Sequence, residues 1–352
     1  MKRLLTLLIL MWGLCLGCDA QEETRDPLVS VKFDARLDAQ RQTYGKDEAG
    51  VRPEAKGGFE GRYIKLVLNG AISDKFRYAF RHRLYRNNDE SKKFFNATDW
   101  LYLTYQPTDH WAFVAGKQVV MIGTMEYDYA PIDVYDPMSS DFWNHIDCYQ
   151  LGVAAEYMPA SGQKLCFQVT NSPTSRQSLE DIYAYNLIWY GSIGKHWSTI
   201  YSVNMIEVRK DHYIHYLALG NKLKWNWGDI DLDFMNRYGG RHCGFFEDLT
   251  FSSKVNCHVT SRLNVFAKGG YDVNHAQQSD TPEAERTDTY VLPGVERTFW
   301  GAGMEYFPLV SGHQKVRVHA FWCGSNEKPR CNTFNVGIRW QMNVLNWRQS
   351  KN

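Results

Sequence analysis

The sequence has no long apolar run after its first twenty residues, and this absence excludes a membrane-spanning helix in the rest of the chain. Such a helix needs about 20 apolar residues, whereas the run near the amino end covers only Leu4 to Leu16. An excess of charge of one sign is also missing, because 40 Lys and Arg stand against 39 Asp and Glu. A nucleic-acid-binding protein needs a basic excess, so the sequence predicts no nucleic-acid partner.

The first twenty residues have the features of an export signal. Two basic residues precede the apolar run, and Ala20 is a small residue suited to cleavage after it. We therefore predict a signal peptide over residues 1–20 and a mature domain over residues 21–352. Lipidation of Cys18 after cleavage in front of it is the alternative interpretation of the same segment.

The composition combines a polar average with many aromatic residues. The mean hydropathy is −0.46, although 14% of the residues are aromatic. A transmembrane β-barrel has this combination, because alternate residues face lipid and water while aromatic rings gather at both membrane interfaces.

Apolar and polar residues alternate along most of the chain, most strictly from Val29 to Gln40. Such alternation indicates strands with one apolar and one wet face. The predicted strands cover residues 28–41, 59–72, 76–86, 100–106, 110–118, 147–157, 163–171, 182–191, 196–207, 213–223, 229–237, 248–258, 261–272, 297–307, 315–323 and 331–342. Their connections mostly alternate between long and short, although the one near residues 209–212 is shorter than this pattern predicts.

These strands predict an all-β fold, a closed antiparallel transmembrane β-barrel of sixteen strands. A soluble β-sandwich or barrel is the alternative, but its strands average about 5–6 residues. A tilted strand needs about 9–11 residues to cross a bilayer, and several predicted strands reach that length.

The polar face of each strand is expected to line the pore, and the strand over residues 76–86 shows this best. Arg77, Arg81 and Arg83 share one face, and each would cost roughly 2–4 kcal/mol if it faced lipid near the midplane. The predicted basic pore lining comprises Lys32, Arg36, Lys65, Arg77, Arg81, Arg83, Lys117, Lys315, Arg317 and Arg339. Most of these residues belong to one wall, formed by the last two and the first three strands.

The long segment from Val119 to Ile146 has the opposite charge, with five carboxylates and no Lys or Arg. It is also rich in aromatic residues, which a freely solvated loop would not need. We therefore expect it to fold into the barrel and to face the basic wall across water, so that the charges orient passing solutes. An external loop packed on its neighbours is the alternative. The predicted constriction residues are Glu126, Tyr127, Asp128, Tyr129, Asp133, Tyr135, Asp136 and Asp141.

Several motifs resemble one family. Ala115-Gly116-Lys117-Gln118, Glu126-Tyr127-Asp128-Tyr129 and Pro131-Ile132-Asp133-Val134-Tyr135 are similar to motifs of the phosphate-selective porin O and P family, in the versions found in Bacteroides-type bacteria. The resemblance implies a sixteen-stranded outer-membrane barrel, usually trimeric, with an inward-folded third loop and a basic pore lining. Outer-membrane lipid and small polar or anionic solutes are then the expected partners, and selectivity for anions is a hypothesis.

The cysteines and histidines point to little further chemistry. Cys323 and Cys331 share inward parity on adjacent strands, and we predict a disulfide between them. His242-Cys243 and Cys257-His258 lack the tight spacing of a zinc site, so no metal and no cofactor are predicted.

No serine lies in a nucleophile motif such as G-x-S-x-G, and the sequence therefore predicts a passive porin and not an enzyme. An outer-membrane hydrolase and a non-conducting structural or adhesion barrel are the alternatives.

Overall fold

The computed structural model describes residues 27–86, 94–160, 162–175, 179–239, 246–275 and 291–347. The predicted signal peptide, residues 1–20, and the His242-Cys243 pair lie outside these residues. Among the described residues, no α-helix has the length and apolarity that a bilayer crossing requires.

Sixteen antiparallel strands form one closed barrel in which each strand pairs with its neighbours in sequence and β1 pairs with β16. This confirms the predicted fold class and strand number. The strands are β1 (Val29–Tyr44), β2 (Lys56–Ala71), β3 (Phe76–Arg86), β4 (Thr98–Tyr105), β5 (Trp111–Val119), β6 (Tyr149–Tyr157), β7 (Gln163–Asn171), β8 (Tyr183–Ile193), β9 (Trp197–Arg209), β10 (His212–Trp225), β11 (Gly228–Gly239), β12 (Asp248–Thr260), β13 (Leu263–Asn274), β14 (Glu296–Val310), β15 (Gln314–Ser325) and β16 (Cys331–Trp347).

The barrel is apolar outside and polar inside, the reverse of a soluble protein. On β16, Phe334, Val336 and Ile338 are exposed, whereas Thr333 and Asn335 between them are buried. Alternate residues of a strand point to opposite faces of a sheet, so the exposed apolar row forms the outer surface. An outer band of this kind matches a hydrocarbon environment and does not fit the soluble alternative.

Several strand ends differ from the prediction by a few residues, and the end of β16 differs the most. β16 continues to Trp347 instead of ending at residue 342, because its pairing with β1 extends to Val29. The connection between β9 and β10 is a tight turn in which Asp211 has a φ of 61°, and its backbone N–H donates to Glu207 Oε1 at 2.8 Å. Asp tolerates this left-handed conformation better than most residues, which explains the unexpectedly short connection.

Loop 3, which we define as residues 120–148, is the connection between β5 and β6. It contains two short α-helices, Met125–Asp128 and Asp141–His145, and two 3₁₀ turns, Pro131–Asp133 and Asp136–Met138. A third short helix, Phe94–Ala97, precedes β4. Loop 3 is thus a folded segment whose turns place its side chains at defined positions.

Candidate functional site

The helical turns of loop 3 begin at residues that sequence rules identify as N-caps. The Thr124 hydroxyl accepts a hydrogen bond from Tyr127 N at 3.2 Å, and the Ser140 hydroxyl accepts one from Trp143 N at 3.1 Å. Pro131 begins one of the 3₁₀ turns, where its missing N–H costs nothing. These caps satisfy backbone N–H groups that would otherwise be unpaired inside the barrel.

One side of loop 3 is held by arginines of β1, β15 and β16. Arg36 Nη1 donates to the Val134 carbonyl oxygen at 2.8 Å, and Arg317 Nη1 lies 2.7 Å from Asp133 Oδ1. Arg339 forms a second ion pair with Asp133. Charge-assisted hydrogen bonds of this type are stronger than neutral ones, so this side forms an ionic anchor.

The other side of loop 3 is held by neutral groups of β7 to β9 and by the carboxylate of Asp233. Asn204 Nδ2 donates to the Met121 carbonyl oxygen at 2.7 Å, and Gly123 N donates to Ser202 Oγ at 2.8 Å. Met125 N donates to Asp233 Oδ1 at 2.7 Å. Because β1 and β9 lie on opposite sides of a sixteen-stranded barrel, loop 3 spans the interior between them.

An apolar cluster stabilises the neutral side further. Phe142 of loop 3 is buried together with Ile206, Ile214 and Tyr216 of the wall, and its ring meets the Tyr216 ring edge-on at 5.5 Å. The polar lumen therefore contains an apolar patch on this side, and loop 3 covers it.

The carboxylates of loop 3 contact the wall directly, which differs from the expected separation by water. Four of the five predicted carboxylates form ion pairs with wall cations, and only Asp128 is exposed without an ion pair among the described residues. The pairs are Glu126–Lys268, Asp133–Arg317, Asp136–Arg62 and Asp141–Arg297. Most of the loop charge is thus neutralised by contact.

The three predicted tyrosines of loop 3 have different surroundings. Tyr127 packs against the apolar cluster, whereas the Tyr135 hydroxyl donates to Glu305 Oε1 at 2.7 Å. The Tyr129 hydroxyl donates to Asp231 Oδ2 at 2.5 Å and lies beside two of the cavities described below.

Part of the basic wall is neutralised by a residue that the sequence interpretation placed in a loop. Asp99 lies 2.6 Å from Arg81 Nε, 2.9 Å from Arg83 Nε and 3.8 Å from Lys65 Nζ. Its side chain is almost completely buried, because β4 begins at Thr98 and not at the predicted residue 100. The sequence contained a signal for this pairing, because Asp99 is a carboxylate close to a predicted strand that carries three arginines.

The remaining predicted lining residues have other environments. Arg77 Nη1 donates to Gln106 Oε1 at 2.5 Å, while Lys32 is half-buried and Lys315 is exposed. Arg339 also pairs with Asp34 at 2.7 Å.

The prediction that Lys117 lines the pore is corrected by the strand register. Its register partners are Leu101 and Leu151, both exposed on the outer face. Its ammonium group donates to the Phe95 carbonyl oxygen at 2.8 Å. The register therefore groups Lys117 with the outward row, and a loop helix shields its charge.

The predicted disulfide is also corrected, because Cys323 and Cys331 are both free. The register places Thr333, and not Cys331, opposite Cys323, so the two cysteines are diagonal neighbours. Among the described residues, no group of three or more His, Cys, Asp or Glu side chains could hold a metal ion.

Several wall residues that hold loop 3 were missed by the sequence interpretation. Arg62 points inward because the β1–β2 register shifts between Arg36 and Leu37, and a bulge cannot be read from alternation. Arg297 and Lys268 follow the inward parity of β14 and β13. They would have been found if parity had been applied to all sixteen strands.

Several cavities lie in the lumen around loop 3. One, of about 420 Å³ and lined by Gln40, Arg62, Asp136, Arg297 and Glu327, lies toward the long connections. Two lie toward the short turns. The Lys164 bay, about 760 Å³, is lined by Asp128, Tyr129, Lys164, Tyr190, Lys222 and Lys224 among others. The Lys315 bay, about 310 Å³, is lined by Tyr129, Lys222, Lys254, Phe307, Lys315 and Arg317 among others.

Comparison with known proteins agrees with this architecture. The model of the family described as phosphate-selective porin O and P matches residues 29–195, which confirms the family resemblance. No curated protein sequence matches the chain.

Solved structures of low sequence identity share the fold. The anion-selective porin from Comamonas acidovorans has a TM-score of 0.61 at 9% identity, over 89% of this chain and 99% of that one. The outer membrane channel DcaP of Acinetobacter baumannii has 0.59 at 11%, over 92% and 98%. A loop L8 deletion mutant of OmpT from Vibrio cholerae has 0.58 at 13%, over 89% and 99%.

Proposed function

We infer that this chain, whose residues 29–195 belong to the phosphate-selective porin O and P family, is an outer-membrane porin through which small polar solutes diffuse passively. The observation that carries this inference is the closed sixteen-stranded barrel with an apolar outside and a polar inside. Family and fold point to a channel and not to an enzyme, and passage through such a channel requires no catalytic step.

The finer part of the proposal is a preference for anions. The Lys315 bay is lined by Lys222, Lys254, Lys315, Arg317 and Arg339, whereas its carboxylates are Asp133, Asp229 and Glu305. Basic side chains that outnumber acidic ones raise the local concentration of anions. Loop 3 acts in this proposal as the constriction, since it spans the lumen beside both bays.

Single-channel recording of the purified mature protein in planar bilayers tests the proposal. We expect ohmic conductance, closing in groups of three steps if the protein is the trimer that its family resemblance implies. In a potassium chloride gradient, the reversal potential should have the sign of chloride preference. The absence of conductance would contradict the porin proposal, and a cation preference would contradict only the proposed preference for anions.

A matched pair of variants links selectivity to the lumen. Lys32 faces the lumen on β1, while Lys75 lies exposed in the short turn between β2 and β3. Lys32→Glu should shift the reversal potential toward cations more than Lys75→Glu does. Equal shifts would show that charge at the barrel mouth, and not along the lumen, sets the preference.

A further inference from the structure

The two bays at the short-turn end share two lining residues, Tyr129 and Lys222. The Tyr129 hydroxyl donates to Asp231 Oδ2 and accepts from Lys222 Nζ, both at 2.5 Å. These two bonds fix the orientation of a ring that is otherwise attached only to loop 3. Tyr129 therefore stands as a partition between the Lys164 bay and the Lys315 bay.

Most cations of the Lys315 bay are already bound by carboxylates. Arg317 lies 2.7 Å from Asp133 and 3.2 Å from Glu305, and Arg339 pairs with Asp34 and Asp133. Lys222 lies 3.2 Å from Asp231 Oδ1. The guanidinium groups, which are the best bidentate ligands for phosphate, are thus engaged.

The side chains of two lysines of this bay have neither an ion pair nor a hydrogen bond within the described part of the chain, and both lie against aromatic rings. Lys254 Nζ is 5.1 Å from the centroid of the Tyr129 ring and 5.5 Å from that of Phe266. Lys315 Nζ is 4.8 Å from the centroid of the Phe307 ring. The positive charge available to a solute is therefore next to apolar ring surface.

From this arrangement, and resting on the proposed porin function, we propose that the Lys315 bay is a transit site for small organic carboxylates with a flat apolar body. The carboxylate pairs with the ammonium group of Lys254 while the apolar body packs on the neighbouring Tyr129 ring. Lys315 and the Phe307 ring offer the same pair of contacts farther along the bay. The bay volume of about 310 Å³ lies at the lower end of the range of about 300–1,000 Å³ typical of small-molecule sites.

Tyr129 is the specificity-determining residue of this site. Its ring supplies apolar contact surface, and its hydrogen bonds keep the Lys315 bay apart from the larger Lys164 bay. A solute with charge but no apolar body, such as acetate or inorganic phosphate, gains only the ammonium contacts.

Reversal potentials with potassium benzoate, acetate or phosphate on one side and chloride on the other test the site. Benzoate diffuses more slowly in water than acetate, so a pore without the site favours acetate. We expect the permeability ratio of benzoate to acetate to exceed about three, since a contact between two aromatic rings adds a factor of this order. Phosphate should rank below benzoate.

The variants distinguish the contribution of charge to the permeability ratio from the contribution of the ring surface. Lys254→Gln combined with Lys315→Gln should return the benzoate-to-acetate ratio to one or below, whereas Lys75→Gln in the exposed turn should not. Tyr129→Phe keeps the ring and should retain most of the ratio, while Tyr129→Leu should lower it. Acetate ranking at or above benzoate in the unaltered protein would overturn the site, as would a double lysine variant with an unchanged ratio.

A binding measurement distinguishes failure of the site from failure of the porin function. Fluorine NMR line broadening of 4-fluorobenzoate on the detergent-solubilised barrel should be reduced at least about threefold by the double lysine variant. Broadening in a protein that does not conduct would remove the porin function and keep the site. Equal broadening by the unaltered protein and the variant would remove the site alone.

Discussion

The two sides of loop 3 are attached to the barrel by different physical means. On the side of β1, β15 and β16, charged groups dominate, as in the contacts of Arg36, Arg317 and Arg339. On the side of β7 to β9, neutral amides and an apolar cluster dominate. Ionic contacts respond to pH and to loss of one partner, whereas neutral and apolar contacts respond to loss of shape. One loop can therefore have an edge whose attachment depends on pH and charge and another edge whose attachment depends on shape.

The largest effect is expected at the ionic edge, from Arg36→Ala. Arg36 lies 2.6 Å from Asp38, and the two side chains are only 1% and 0% exposed. Its removal leaves the buried Asp38 carboxylate without its arginine, with only His319 and Asn335 in contact among the described residues, and should lower the free energy of unfolding by about 3–5 kcal/mol. Urea unfolding of the barrel in lipid vesicles measures this loss.

A double variant tests the reason for that effect. Arg36→Met together with Asp38→Leu replaces the pair by apolar groups of similar volume, which is often neutral for stability. We expect it to regain most of the lost stability. A double variant as unstable as Arg36→Ala would show that the contact to Val134, and not the charge balance, matters.

A smaller effect is expected at the neutral edge, from Asn204→Ala. The Asn204 amide bonds the Met121 carbonyl oxygen and the Asn186 side chain at 2.7 Å each, and accepts from Ser202 at 2.6 Å. The buried groups that Asn204 leaves unpaired should lower the free energy of unfolding by about 1–3 kcal/mol. A salt concentration of 1 M should not change this loss. The exposed Asn332→Ala is the control. A salt-dependent loss in Asn204→Ala would end the distinction between the edges.

The smallest effect is expected from strong acidification at the ionic edge. Partial burial acts to raise the pKa of Asp133, but the positive charges of Arg339 and Arg317 outweigh burial and lower that pKa below its ordinary value of 3.8. Stabilisation by this carboxylate is therefore complete above the ordinary value and is lost as the pH falls through the lowered one.

When Asp133 no longer stabilises its contacts, loop 3 is held less firmly. The current noise of the open channel, recorded at decreasing pH, measures this change. Noise should rise as the pH falls below the ordinary carboxyl range, because loop 3 loses one of its ionic contacts. Asp133→Asn should be noisy already at neutral pH and change less on acidification. Identical pH profiles for the variant and the unaltered protein would assign the effect to other carboxylates.

Strand number and inner face could be predicted from the sequence, because both depend on alternation within single strands. Leu84 and Arg81, for example, separate onto the exposed and buried faces as predicted. Ion pairing could not be predicted in the same way, since it depends on register between strands. The pair of Arg62 and Asp136 requires a bulge in β2, and the grouping of Lys117 with Leu101 and Leu151 requires the register of β5.

The sequence by itself determined that the chain crosses a membrane as a cylinder of strands, because a period of two leaves only one apolar face on each strand. Tertiary structure alone decided which cations of the lumen remain available to a solute. Arg81 and Lys254 are both inward-facing cations, but Asp99 neutralises the first, whereas the second lies against the rings of Tyr129 and Phe266. The physical reason is that charge acts over the few ångströms between side chains of different strands, and no single strand encodes that distance.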